Sequence, residues 1–377
     1  MKRWLKTWLF SAVIAAFFGF LLLSVYVRQA VLFLVGIGLG ATLAAARFGF
    51  TTGWRQLVTQ REPSGAAGQL LLLALAALLA MPLLGQYPEL QAALGPPSIS
   101  LIVGAFVFGI AMQVADGCGS GTLYKAGLGF PLNMGILPLF ALGSFLGAAH
   151  LQGWLALGQI EPVGFVQSWG VPVALLLTGG LLLGLAALMR LWVGAGKVWF
   201  SKRWVWGAVL LAVFATLNLV LAGQPWGVVY GFGLWAGKLV TAAGLFDPTA
   251  NAFWSQASNA KHLGESVLLD VTSITNIGIL SGALWVSMKE SSSRSNKQPS
   301  SLTAKQWAVG LLAGLAMGYS SRLAFGCNVG AMLSGISTGS LHGWIWLPLA
   351  FAGTLFGLKI RQAVFNDTPA EWRDTQI

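Results

Sequence analysis

The chain contains only two cysteines, Cys118 and Cys327, and each stands in a G-C-x-x-G sequence. A thiol is a weak hydrogen-bond donor on a soft, polarizable sulfur, which suits contact with another sulfur atom. A thiolate can also attack or accept sulfane sulfur. The repeated motif therefore indicates either a binding contact for a sulfur-containing ligand or a carrier of persulfide. A disulfide between the two residues is also open, although nothing in the sequence favours one.

The glycines of the two motifs give the backbone the freedom to bend and to approach a ligand closely. Backbone N–H groups at the start of a following helix attract anions, and the helix dipole adds to that attraction. We therefore predict that a small anion contacts both loops. The residues expected to contact it are Cys118, Cys327, Gly117, Gly119, Gly121, Gly326, Asn328 and Gly330.

Charged residues are rare near these motifs, so each one is a candidate for function. Arg47, Lys125 and Arg322 each flank a glycine-rich stretch, and together with Gly49 they form a candidate anion pathway. An alternative for Lys125, and for Arg55, is a side chain whose charged end reaches the membrane interface. Asp116 would repel an anion, so it is expected to pair with one cation or to cap a short helix.

The sequence offers no recognisable metal or nucleotide site. The three histidines, His150, His262 and His342, do not show metal-ligand spacing. The segment 231–239 resembles a phosphate-binding loop but lacks its serine or threonine. We therefore predict a protein that is not an enzyme and that holds no cofactor.

The composition shows what kind of elements must position these motifs. Hydrophobic residues make up 56% of the chain and charged residues 9%, with a mean hydropathy of +0.74. Soluble domains carry about 25% charged residues, so a soluble fold is excluded. Apolar runs of about 20 residues fit helices that cross the membrane. The net charge of +11 comes from basic residues beside these runs, as the positive-inside rule describes, and does not indicate nucleic-acid binding.

Eleven spans are predicted, and the first is expected to be a retained helix rather than a signal peptide. They lie near 8–27, 30–46, 68–86, 99–115, 130–150, 170–191, 205–222, 226–245, 265–288, 306–321 and 343–361. We divide the chain into an N-terminal half (1–204), a C-terminal half (205–361) with a polar linker at 289–305, and a polar tail (362–377). Three predicted spans lie between the basic loop 192–204 and the basic linker, and an odd number of crossings would put these two segments on opposite sides of the membrane. Either one segment is re-entrant, or the linker faces outward.

Glycine-rich, partly polar stretches interrupt the apolar helices at 47–55, 116–127, 244–254 and 322–340. Irregular backbone at membrane depth is tolerated only inside protein or along a water-filled cavity, and interrupted helices at matching positions of two halves indicate a transport site.

An internal repeat accompanies the interruptions. A glycine lies nine residues before each cysteine, at Gly109 and Gly318, and Gly40 precedes Gly49 by the same nine residues. Gly244 and Phe253 repeat the spacing in a weaker form. One helix–loop unit is therefore predicted in both halves, with a degenerate copy upstream.

Three stretches together resemble the YeeE/YedE sulphur-transport family over roughly 36–361. They are VGAFVFGIAMQVADGCGSGTLYKAG, GLFDPTANAFW and MGYSSRLAFGCNVGAMLSGISTGSLHGW. The resemblance implies an all-α polytopic fold in a bacterial inner membrane. It has two pseudo-symmetric inverted halves, with transmembrane and short re-entrant helices around an hourglass-like path. Family members take up thiosulfate, and some work with a small cytosolic TusA-like sulfurtransferase. A related branch is linked to selenium metabolism.

The resemblance implies that Cys118 and Cys327 contact the ion by S–H hydrogen bonds. Many relatives read R-F-C in the first repeat, whereas this chain has Gly49, so a third thiol is missing. We expect uptake of a small sulfur-containing anion through a cysteine-lined constriction, with thiosulfate as the leading candidate substrate. The alternatives are a membrane sulfurtransferase carrying persulfide on Cys118 or Cys327, a transporter of a selenium compound, or a structural subunit.

Overall fold

A computed structural model describes residues 3–290 and 302–365, and the regular structure of this part of the chain is helical. Ten of its helical segments are long and apolar enough to cross a membrane. The prediction of an all-α polytopic membrane protein is therefore confirmed. Most of the predicted polar linker, 291–301, and most of the predicted tail, from residue 366 onward, lie outside the described residues.

The helices are numbered in chain order. They are α1 Arg3–Ser24, α2 Val27–Ala45, α3 Phe50–Gln60, α4 Ser64–Gln86, α5 Ile99–Val114, α6 Gly119–Gly127, α7 Pro131–Leu155, α8 Phe165–Val193, α9 Lys202–Ala222, α10 Val229–Ala242, α11 Ala257–Gly264, α12 Val271–Glu290, α13 Ala304–Leu323, α14 Gly335–Ser337 and α15 Leu341–Phe365. A 3-10 turn covers Pro248–Ala250, and a π-helix, π1, covers Asn328–Ser334.

The predicted span at 226–245 is wrong. Its helix, α10, has 14 residues, which extend for about 21 Å and cannot cross about 30 Å of hydrocarbon. Two crossings, α9 and α12, therefore lie between the basic loop after α8 and the linker after α12. Counted this way, the end of α8 and the end of α12 face the same side of the membrane, which agrees with the positive-inside rule.

The glycines that precede the loops hold helices together. α2 packs on α12, α5 on α15 and α7 on α13, and these are the most extensive helix pairs in the described residues. A Cβ atom on Gly40, Gly109 or Gly318 would overlap a backbone carbonyl of the facing helix. Small residues allow such close backbone approach between helices in lipid.

The same helix ending follows each of these glycines. Seven residues later, Arg47, Asp116 and Phe325 adopt left-handed backbone conformations, with φ of 46°, 56° and 57°. The next amide in each copy donates to the carbonyl five residues earlier, at 2.9, 3.0 and 2.8 Å. This pattern is the Schellman ending. It turns the chain back at the same point in all three copies.

Each turn delivers its loop residue to the start of a new helix. Gly49 precedes α3, Cys118 precedes α6 and Cys327 precedes π1, all three in extended backbone conformations. The next left-handed residue comes 12 residues after Gly49, at Arg61, 11 residues after Cys118, at Gly129, and 12 residues after Cys327, at Gly339. Of the three following helices, the one after Cys327 is a π-helix, and π-helical turns are frequent at functional sites.

The fourth copy occurs in a different register from the predicted one. Gly244 has φ of 68° and occupies the turn position, where Leu245 donates to the Val240 carbonyl at 3.0 Å. Its preceding glycine is then Gly237 and its loop position is Phe246. The predicted pairing of Gly244 with Phe253 is wrong because the spacing alone did not identify which glycine makes the turn.

Candidate functional site

The two cysteine loops meet although they come from different halves of the chain. A Cβ atom on Gly119 would lie 3.3 Å from the Cys327 Sγ and 3.2 Å from the Phe140 ring. The bare glycine therefore leaves the space in which the second loop approaches the first. Cys118 and Cys327 are both free thiols with 0% exposure, so the structure has no disulfide between them.

The Cys118 sulfur atom has polar neighbours within its own loop. Cys118 Sγ accepts a hydrogen bond from the Gly121 N–H at 3.4 Å and lies 3.4 Å from Ser120 Oγ. Cys327 Sγ, in contrast, does not accept a hydrogen bond from the start of π1. The Gly121 N–H shows that a donor of the first loop reaches a sulfur atom, and such N–H groups also suit an anion's oxygen atoms.

Two polar side chains of these loops are buried without hydrogen-bond partners. Asn328 is 0% exposed, and neither its Nδ2 nor its Oδ1 has a partner in residues 3–290 and 302–365. Within the same part of the chain, Thr122 Oγ1 is also buried and unpartnered. An unsatisfied buried polar group costs about 1–3 kcal/mol. The two loops therefore hold polar groups that a bound ligand would satisfy.

The predicted glycines have unequal roles. Gly326 has φ of 149°, and a Cβ atom there would overlap the backbone of Gly330 and Ala331. A Cβ atom on Gly117 would stand 2.9 Å from the Thr122 backbone nitrogen, so this turn also requires glycine. A Cβ atom on Gly330 would lie 3.9 Å from the nearest described atom, the Phe325 carbonyl oxygen. The glycine before each cysteine shapes its loop, whereas Gly330 leaves open space.

Asp116 pairs with three cations rather than with one. Its carboxylate lies 2.7 Å from Arg55, 2.8 Å from Lys125 and 3.5 Å from Arg361. Lys125 Nζ also donates to the Asp116 carbonyl at 2.6 Å. The charged ends of Arg55 and Lys125 bond to Asp116, and their place relative to the membrane interface stays a prediction. We call these four residues the Asp116 cluster.

Sequence reasoning missed Arg361, because an arginine in the last turns of an apolar helix has the pattern of an interfacial residue. The cluster joins α3, α6 and α15 to the loop that follows α5. Gln113 extends it, since its side-chain oxygen accepts from Arg55 at 3.3 Å and its carbonyl accepts from Arg361 at 3.2 Å. The cluster is thus a buried network of charge-assisted hydrogen bonds.

Arg322 lies in a different environment. Its guanidinium carbon is 4.9 Å from the centre of the Phe253 ring and 5.6 Å from that of Tyr230. Its Nε is buried, and within residues 3–290 and 302–365 neither a hydrogen-bond acceptor nor a carboxylate contacts the guanidinium. Tyr230 Oη is held at 2.9 Å by Asn259 and at 2.8 Å by His262. A cation stacked on rings keeps its charge available to an anion.

The residues of the candidate anion pathway thus lie in three places. Arg322 stacks on Tyr230 and Phe253, Lys125 belongs to the Asp116 cluster, and Arg47 and Gly49 lie at the turn before α3. The structure does not bring them together. Tyr230 and Phe253 had no role in the sequence analysis, and the signal for Phe253 was its place in the unusual stretch GLFDPTANAFW.

Similarity to known proteins covers the same loops. A family model described as "Sulphur transport" matches residues 45–356. The thiosulfate transporter TsuA of Spirochaeta thermophila is 26% identical over 332 residues, 83% of this chain and 92% of that protein. The thiosulfate transporter TsuA of Escherichia coli is 22% identical over 348 residues, which cover 84% of this chain and 90% of that protein. The probable transporter YedE of Escherichia coli is 24% identical over 170 residues, 45% of this chain and 40% of that protein.

Proposed function

This chain belongs to the sulphur-transport family, and from that membership we propose that it carries thiosulfate across a bacterial inner membrane. The observation that carries the proposal is the meeting of the two cysteine loops, with Gly119 against Cys327 Sγ. Two relatives named thiosulfate transporters match more than four fifths of the chain, which supports this substrate. Each of the two proposed halves, 1–204 and 205–361, contributes one loop.

Passage of a dianion requires groups that replace its hydration shell. In this proposal the thiols of Cys118 and Cys327 donate S–H hydrogen bonds to the ion. The unpartnered amide of Asn328 and the backbone N–H of Gly121 supply further donors. All these donors are neutral, so they hold the ion weakly enough for release. The charged groups stand outside the cysteine region and attract the ion toward it.

The positive-inside rule gives the path a direction. It places the basic loop 194–201 and the linker before α13 in the cytosol, so α13 ends toward the outer side. Arg322, in the last turn of α13, then lies at the outer entrance. α15 ends toward the cytosol, so Arg361 and the Asp116 cluster lie at the inner exit. An ion taken up would meet Arg322, the cysteines and the inner side in that order.

Burial of the thiols supports passage of an ion over transfer of sulfur to a protein. A persulfide carrier must present its sulfur to a partner's thiolate, because exchange depends on access. Both sulfur-bearing residues are 0% exposed. We therefore expect mass spectrometry of the protein, isolated during uptake, to find both cysteines without added sulfur. A persulfide on Cys118 or Cys327 during turnover would favour the sulfurtransferase alternative.

Uptake of radiolabelled thiosulfate, in a strain without other thiosulfate uptake, tests the proposal. The native chain should transport, and Cys118→Ala and Cys327→Ala should each lower the rate at least about tenfold, the effect of one lost contact of about 1.4 kcal/mol. Cys118→Ser and Cys327→Ser are matched controls that keep a donor but remove the sulfur. Absence of uptake by the native chain, despite normal amounts in the membrane, would exclude thiosulfate and redirect the test to selenium compounds.

The resemblance adds a proposed acceptor on the cytosolic side, a small TusA-like sulfurtransferase. Uptake measured in cells with and without such a protein would show whether transport depends on it. If uptake is equal in both, the chain transports without this partner.

A further inference from the structure

The first repeat lacks the side chain that the other two copies present. Gly49 occupies the position that Cys118 and Cys327 occupy, between a left-handed turn and the start of a helix. We propose that the hydroxyl of Tyr124 takes the place of that absent side chain and donates a hydrogen bond to the transported anion. This inference rests on the proposed function and adds a contact at the third repeat.

The geometry at Gly49 supports this role. A Cβ atom on Gly49 would stand 3.4 Å from Tyr124 Oη and 2.9 Å from Thr52 Oγ1. The phenolic oxygen thus lies next to the space that a side chain at position 49 would enter. Tyr124 comes from α6, whereas Gly49 precedes α3, so the hydroxyl reaches this position from the Cys118 repeat.

The Tyr124 hydroxyl has a hydrogen atom that is free to be donated. The residue is 3% exposed and its ring packs in the main hydrophobic core. A buried tyrosine hydroxyl usually finds a partner. Within residues 3–290 and 302–365, however, no group hydrogen-bonds to Tyr124 Oη. The hydroxyl oxygen keeps a small solvent-accessible area, unlike the fully buried Thr122 Oγ1. Its hydrogen atom is therefore free to bond to a ligand that enters the space beside Gly49.

The charges around the hydroxyl are of both signs. Asp116 and Cys118 act on the phenol together with Arg203 and Arg47, and Asp116 is itself paired with Arg55 and Lys125. The case for an anion contact therefore rests on the unpartnered hydroxyl beside Gly49.

The position of Tyr124 also extends the path. It lies six residues after Cys118, and six residues of helix correspond to about 9 Å along the axis of α6. α6 leads from the cysteine region toward its end at Gly127, near the inner side. A phenolic O–H is a stronger donor than a thiol and prefers oxygen to sulfur. Tyr124 is therefore a contact for the oxygen end of the ion after it leaves the cysteines.

The test is uptake at sub-saturating thiosulfate by Tyr124→Phe, which removes only the oxygen atom. A hydrogen bond to a charged partner contributes about 1.5–3 kcal/mol, so we expect uptake to fall at least about tenfold. Tyr26→Phe is the control, because Tyr26 is 65% exposed. The second arm is Gly49→Cys in the Tyr124→Phe background. Thr52 Oγ1 can rotate away from the new Cβ, and the thiol should restore at least part of the uptake.

The outcomes separate this inference from the proposed function. If the native chain and Tyr124→Phe transport equally, Tyr124 is not a contact, although the proposed function stands. If Tyr124→Phe loses uptake and Gly49→Cys does not restore it, the hydroxyl has a structural role and the inference is overturned. If the native chain takes up no thiosulfate, both proposals fail. Loss in Tyr124→Phe with restoration by Gly49→Cys would establish a donor at the third repeat.

Discussion

At the scale of single residues, environment decides which cations can serve an anion. Arg55, Lys125 and Arg361 are held by one carboxylate, whereas Arg322 stacks on two rings without a carboxylate contact among the described residues. One carboxylate offsets one of the three positive charges of the Asp116 cluster and holds those side chains in place. Arg322 differs because its guanidinium contacts no carboxylate among the described residues, so it is free to turn toward an ion that approaches it.

Arg322→Gln should raise the thiosulfate concentration that gives half-maximal uptake by about tenfold, because it removes an attraction at the outer entrance. The maximal rate should change much less, since the cysteine loops remain. The measurement is a concentration series of initial uptake rates. Arg190→Gln is the matched control, as that arginine is exposed and lies 5.9 Å from the Trp199 ring. An unchanged half-maximal concentration in Arg322→Gln would rule out the entrance role.

Asp116→Ala should destabilise the protein, because it leaves three buried or half-buried cations without their carboxylate. Removal of one partner from a buried ion pair costs about 3–5 kcal/mol. The measurement is thermal unfolding in detergent. Lys125→Met added to Asp116→Ala should recover part of the loss, and Glu161→Ala, at an exposed acidic residue, should have little effect. Equal stability of Asp116→Ala and the native chain would show that the cluster does not hold α3, α6 and α15 together.

At the scale of elements, the site depends on helices that end early and start again. Three copies share a packed glycine, a left-handed residue seven positions later and a helix start three positions after that. The close glycine contacts hold each long helix against a neighbour, so the chain reversal falls at a constant depth along the helix. The loop residues at Gly49, Cys118 and Cys327 are positioned by this spacing.

Gly318→Ala should disrupt the packing of α13 on α7, because its Cβ would overlap the carbonyl of Phe140. Overpacking costs about 1–3 kcal/mol, and here the obstacle is backbone that cannot rotate away. We expect a lower yield of folded protein by size-exclusion chromatography and a lower unfolding temperature. Gly184→Ala is the control, since a Cβ atom there meets nothing within 4 Å. Normal behaviour of Gly318→Ala would contradict the close contact.

At the scale of the whole molecule, ten spans set which parts of the chain share a compartment. An even number of crossings lies between the loop 194–201 and the linker that precedes α13, and α13 and α15 add two more. The basic segments then lie on one side, and the two cysteine loops meet inside the bundle.

Reporter fusions after α15 and within 194–201 should both report the cytosolic side. The physical reason is that α9, α12, α13 and α15 make four crossings, whereas α10 is too short to make another. The measurement is a pair of reporters that are active on opposite sides of the membrane. A fusion after 223, beyond α9, should report the outer side. Opposite results for the first two fusions would require α10 to cross.

Local properties of the sequence were enough to predict the membrane class, all ten candidate spans of the described residues together with one false span at 226–245, and the two cysteine motifs. Hydropathy acts on each segment separately, so apolar runs predict helices without knowledge of their neighbours. The spacing of Gly109 from Cys118 and of Gly318 from Cys327 also carried information, because one packed glycine and one turn occur within a single helix.

The tertiary structure decided which distant residues meet. Arg361 reaches Asp116, Gly119 leaves room for Cys327, and Tyr124 approaches Gly49, although no local pattern pairs them. The register of the fourth copy and the shortness of α10 also had to come from the fold. The reason is physical: apolar segments in lipid can pack in many orders with similar burial. Which polar groups come together therefore depends on close backbone contacts between whole helices.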